Sequence, residues 1–246
     1  MPSSNPVLNQ STFDTPVTGA DVRPMTLEGV VQRTLLFLLL AIGSAAATWV
    51  FLQTHETAIV PCLMIGTVGG LVAALGAAFL KRSVPITGTI YVLFEGLVLG
   101  SITLYFEQSF PGIALQAVCL TFGIAFALLA AYQCGWIKVS QTFRSIVICA
   151  TGGICLFYII SLLCRTLFHF SIPLIYSSGP VGIIFSLFVV GLAAMNLVLD
   201  FEFVATGVAN RAPKWMEWYA AFSLMVTLIW LYLEILRLLS KLSRNR

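Results

Sequence analysis

Four carboxylates lie inside stretches that are otherwise apolar: Glu95 in ITGTIYVLFEGLVLGSITLYF, Asp200 and Glu202 in FSLFVVGLAAMNLVLDFEF, and Glu234 in YAAFSLMVTLIWLYLEILRLL. In hydrocarbon an ionisable side chain at mid-helix costs at least ~2.5 to 3.5 kcal/mol, so each of these acids needs a partner, a water path or a function. The chemistry open to them is that of protons and hard cations. Two carboxyls brought close in a low-dielectric site cannot both carry charge readily and hold one proton between them; once ionised they offer the oxygen ligands that calcium prefers. The candidate set for an ion pathway and its gate is Asp200, Glu95 and Glu234, with Thr227 as a neutral neighbour and Arg82 as a flanking charge. Asp200 and Glu95 are the expected cation ligands, and Glu202, two residues from Asp200 and pointing away from it, reads as interfacial. No resident cofactor is implied, and calcium would be a permeant ion.

Other chemistries find little support. The chain has 246 residues, 59% of them hydrophobic and 9% charged, whereas a soluble domain carries roughly 25% charge. The net charge of +3 is spread over connectors, without the basic stripe that nucleic acid would need. The six cysteines lie in or at the edge of apolar stretches without metal-ligand spacing, and read as packing residues. His55 and His169 are single. A membrane protease of the rhomboid type needs Gly-x-Ser-Gly with a helix histidine, and a retinal protein needs a lysine in mid-helix seven. The sequence has neither, so it is not expected to be an enzyme.

The elements that must position the acids are seven apolar spans, each long enough for ~30 Å of hydrocarbon: residues 34–52, 58–80, 86–106, 113–132, 146–168, 181–203 and 219–239. The expected fold is thus an all-α polytopic membrane protein, with residues 1–25 a disordered tail and 26–246 the membrane domain. Thr26 is a plausible N-cap for the first helix, with Glu28 in its first turn. Gly66-x-x-x-Gly70 and Gly96-x-x-x-Gly100 put small residues on one helix face, which suits close packing. Eight basic residues (Arg23, Arg33, Lys81, Arg82, Lys138, Arg144, Arg211 and Lys214) fall on the tail's side, against Arg165 alone in the opposite connectors, which places the N-terminus in the cytoplasm. Arg237, Lys241, Arg244 and Arg246 contradict that rule if helix seven crosses fully.

Depth and periodicity narrow the partners. Counting 1.5 Å per residue from the cytoplasmic side, Glu95 lies roughly 14 Å in, Asp200 roughly 10 Å, Thr227 roughly 14 Å and Glu234 roughly 24 Å. Helix seven carries a polar stripe of Ser223, Thr227, Glu234 and Lys241, and helix six carries Ser186, Ala193, Asn196 and Asp200 at similar spacing, so the two faces are expected to meet. Interhelical hydrogen bonding with no transport role is the alternative for both.

The seven spans, the aspartate near the end of helix six and the run FSLMVTLIWLYLEILRLL in helix seven resemble the Bax inhibitor (transmembrane Bax inhibitor motif) superfamily, including its bacterial YetJ- and YccA-like members. EGLVLGSITLYFE and FPGIALQAVCLTFG are similar to that family's helices three and four, and the resemblance covers about residues 26–239. It implies a pH-sensitive calcium or cation leak closed by an aspartate pair from helices six and seven, with helix seven in the middle of the other six, in a bacterial inner membrane. Asp200 matches the first aspartate. Aligned without a gap, helix seven has Thr227 where the second belongs; a register shifted by seven residues would put Glu234 there instead. With Thr227 in place, Glu95 at a similar depth is the expected partner of Asp200. A second role implied by the resemblance is that of a non-transporting regulator, YccA-like, which engages the membrane quality-control protease FtsH through its tail.

Overall fold

The computed structural model describes residues 23–168 and 179–245. The expected tail, up to residue 22, lies outside them, as does His169. The described residues form seven long helices: α1 (Leu27–Thr54), α2 (Ile59–Phe79), α3 (Val84–Ser109), α4 (Ile113–Gln133), α5 (Gln141–Phe168), α6 (Pro180–Ala209) and α7 (Met216–Arg244), with single 3-10 turns before α2 and α3. All seven are long and apolar enough to cross a membrane, so the chain is an integral membrane protein.

Several helices outrun their apolar cores. α1 begins at Leu27 rather than residue 34, α5 at Gln141 rather than 146, and α7 runs from Met216 to Arg244. Hydropathy marks only the part that must lie in hydrocarbon, whereas backbone hydrogen bonding continues the helix into the interface until a cap ends it. At α1 that cap is Thr26, whose Oγ1 accepts from the Gly29 amide at 3.1 Å. At α4 the start is a left-handed Gly112 (φ +86°). There the Glu107 carboxylate accepts from the amides of Gly112 (2.6 Å) and Ala114 (2.9 Å), so this acid caps a helix start.

The small-residue faces work as spacers. A β-carbon on Gly66 would lie 2.8 Å from the Phe94 carbonyl oxygen of α3, and one on Gly100 would lie 2.6 Å from the Ala45 carbonyl oxygen of α1. Gly66 thus lets α2 approach α3, and Gly100 lets α3 approach α1.

Helix α7 packs along α1, α3, α4 and α6. Fifteen of its residues are buried, against four in α2 and three in α4, so α7 faces protein where α2 and α4 face outward. Its two long sides feed separate apolar clusters. Leu224, Leu231 and Ile235 pack with Ala193 and Leu197 of α6, and Ala221, Met225 and Ile229 pack with Phe37 of α1 and Tyr91 of α3.

Candidate functional site

Asp200 sits on α6 less than three turns from its C-terminal end, facing the first half of α7. Both its oxygens are taken by hydroxyls of that helix. Ser223 Oγ donates to Oδ1 at 2.6 Å and Thr227 Oγ1 donates to Oδ2 at 2.5 Å. Four-residue spacing puts Ser223 and Thr227 on one face a turn apart, so the two hydroxyls straddle one carboxylate. Tyr219 lies another turn back on α7. The Lys81 ammonium lies 5.8 Å from the centre of its ring. The residue of helix seven opposite Asp200 is therefore Thr227, and Glu234 is not.

The other acids lie elsewhere. Glu95 is turned toward α2: a β-carbon on Gly70 would be 3.4 Å from its Oε1, and its polar neighbour is the Tyr91 hydroxyl one turn back. No hydrogen bond joins Glu95 to Asp200, so the expected ligand pair is not assembled. Equal depth fixed their height but not the direction each helix face points. Glu234, 2% exposed, accepts from Arg237 at 2.8 Å and from the Tyr158 hydroxyl of α5 at 2.9 Å. The Arg237 guanidinium also lies 5.2 Å from the Tyr158 ring centre. Glu202 accepts from Tyr132 of α4 at 2.6 Å, and Arg82 is exposed in the turn before α3.

The two polar faces meet only in part. Ser186 accepts from the buried Lys241 at 2.8 Å, and the Gly182 carbonyl does so at 3.0 Å, which ties the far ends of α6 and α7 together. Asn196, expected against helix seven, instead donates to Thr151 of α5 at 2.7 Å. Lys241 and Arg237 explain how basic residues gather at the end of α7: both are held by groups inside the bundle.

One buried acid escaped the sequence reading. Glu217 is fully enclosed at the start of α7. It forms an ion pair with Arg33 of α1 and accepts from the Thr26 amide at 2.9 Å and its hydroxyl at 3.0 Å. Arg33 stacks 5.0 Å from the Trp218 ring centre, and Trp218 packs on Phe37. The signal that could have found it was Arg33 itself, nearly two turns inside the first helix, where a cation needs a counter-charge.

Chemically, the Asp200 site presents four oxygens, two from the carboxylate and one each from Ser223 and Thr227. A resident calcium wants roughly six to eight, and among the described residues no group of three or more His, Cys, Asp or Glu could hold a metal ion. The site thus suits transient contact with a cation better than storage of one. None of the curated proteins and none of the solved structures compared matches the chain. The family model for Bax inhibitor 1 like proteins matches residues 5–244, nearly the full length, and the chain therefore belongs to the Bax inhibitor 1-like family of membrane proteins.

Proposed function

We propose that this protein is a calcium or cation leak of the Bax inhibitor type in which Asp200 is the carboxylate that passing cations meet. The observation that carries this reading is the Asp200 site itself: a membrane-embedded acid without a basic hydrogen-bonding partner, preorganised by two hydroxyls of α7. An acid kept only for packing is better served by a cation of opposite charge, as Glu217 and Glu234 are. Hydroxyl and carboxylate oxygens are hard ligands, and a site with few of them binds weakly enough to release the ion, which conduction requires.

The proton dependence follows from the charge. Lowering pH protonates Asp200 and removes the negative charge that attracts the cation; raising pH restores it, so flux should rise with pH. One carboxylate takes part, so the response should be that of a single proton and not of a shared pair. The end of the bundle holding Arg33, Lys81 and Lys214 would face the cytoplasm, by the distribution of basic residues. The test is calcium flux into proteoliposomes across a pH series. Wild type should conduct more as pH rises, and Asp200→Asn should conduct little at every pH. Wild type with no flux at any pH would end the leak reading. Deleting residues 1–22 should leave the flux in place, whereas a role exercised through the tail would be lost.

A further inference from the structure

A cavity of ≈ 450 Å³ opens in the flank of the bundle, with walls on α1 and α4 and a floor made by α3 and α7. Its lining is apolar apart from the Trp49 indole N–H and three hydroxyls, and the hydroxyls are satisfied within the protein. Thr103 and Tyr232 hydrogen-bond to each other at 2.8 Å, and Thr121 donates to the Ala117 carbonyl at 2.7 Å. No charged residue lines it. An ion would find no charged group and no unpaired hydroxyl to replace its water there.

We propose that this groove is a binding site for one acyl chain of a bilayer lipid. The choice of occupant comes from what the groove adjoins. The rim residues Ile42 and Val50 on α1 and Val118 on α4 are exposed, and they continue into the outward apolar surface formed by Leu39 on α1 and by Leu115 and Phe126 on α4. On a chain that spans the membrane that surface is covered by hydrocarbon, so the mouth of the groove opens onto acyl chains. The volume falls within the roughly 300 to 1,000 Å³ range of small-molecule sites and far exceeds what a core tolerates empty. Ala45 and Ala46 keep it open, because each lacks the bulk to fill it.

The floor gives the site its consequence. Met225, Leu228, Ile229 and Tyr232 belong to α7, and Met225 lies midway between Ser223 and Thr227, the two residues that hold Asp200. An inserted chain thus touches the helix that forms the site proposed for the leak, on a different face of the same turns. Its binding rests on the membrane-spanning fold alone, and only its influence on flux depends on the leak reading.

Photolabelling in proteoliposomes made with a phospholipid carrying a diazirine in its acyl tail tests the proposal, with the labelled residues read by peptide mass analysis. Wild type should carry label on α7 at Leu228 or Tyr232 in addition to the outward residue Leu39. Filling the groove with Ala46→Phe and Val118→Phe together should remove the α7 label by tenfold or more. Label at Leu39 should persist, which shows that the variant is folded and inserted. A wild type labelled only on outward residues, as when a second copy of the chain covers the groove, overturns the proposal. So does α7 label that the filled variant retains. Label on α7 in vesicles that pass no calcium would retire the leak and keep the lipid site.

Discussion

Asp200 and Glu217 are acids held at the same end of the α6–α7 hairpin, yet they are held in opposite ways. Glu217 is neutralised by Arg33 and receives two further hydrogen bonds from Thr26, and its neighbours tie α7 to α1. The segment before α1 adds to that tie, since the Met25 amide donates to the Ala212 carbonyl at 2.7 Å. A β-carbon on Gly29 would collide with the Glu217 carboxylate, so the closeness is built into the backbone. Asp200 receives two neutral hydroxyls and no cation. The first arrangement spends the charge on holding two helices; the second leaves it available. The contrast separates an anchor from a site that can exchange partners.

The largest effect should come from breaking the anchor. Glu217→Ala leaves the partly buried Arg33 guanidinium, 18% exposed, without its counter-charge, a loss that reaches about 3 to 5 kcal/mol where fully buried pairs have been opened. It should appear as a large drop in unfolding midpoint in detergent. Replacing both partners by apolar residues, Arg33→Met with Glu217→Leu, should recover most of the loss. If Glu217→Ala is no less stable than Asp200→Asn, the distinction between anchor and exchangeable site is wrong.

Next comes conversion of the exchangeable site into an acid pair. Thr227→Asp places a second carboxylate against Asp200, where the two must share a proton, so the single rise of flux with pH should become two steps. An unchanged curve would mean that Thr227 does not meet Asp200 in the conducting protein. Thr227→Val tests the same contact more gently. Losing one hydrogen bond within a membrane averages about 0.6 kcal/mol and reaches about 1.7 at most. The variant should stay folded while its flux falls at every pH, because one of the two groups that orient Asp200 is gone.

The spans, the N-cap at Thr26 and the closeness of Asp200 to Thr227 were legible because each depends on something local. Apolar length gives spans, and four-residue spacing gives a helix face. Two features were not legible, for one physical reason: they depend on how each helix is rotated about its axis. Asn196 lies four residues before Asp200 and yet reaches Thr151 on α5, because the face of α6 they share is wide enough to meet two helices. Glu217 precedes the apolar run of helix seven, and its direction there, toward Arg33 of α1, is set by how α7 is rotated. The end of α7 was legible only as an anomaly, until Glu234 and Ser186 supplied acceptors for Arg237 and Lys241.

The smallest effect should come from Glu95→Gln, and it is the variant that separates depth from direction. Glu95 and Asp200 lie at similar heights by residue count, so if height alone decided partnership, removing either charge would abolish the pH response of flux. In the structure Glu95 faces Gly70 and Tyr91, and its carboxylate has no bond to Asp200. Glutamine has nearly the same shape and can still meet the Tyr91 hydroxyl, so packing between α2 and α3 should be kept. The proton that matters to Asp200 is bound at Asp200, so the rise of flux with pH should survive Glu95→Gln with its shape unchanged. Glu234→Gln serves as the parallel control at greater depth, since Glu234 is committed to Arg237 and Tyr158. Measured side by side as calcium flux against pH, a flat curve for Glu95→Gln beside a normal one for Glu234→Gln would show that Glu95 joins Asp200 when the pathway opens.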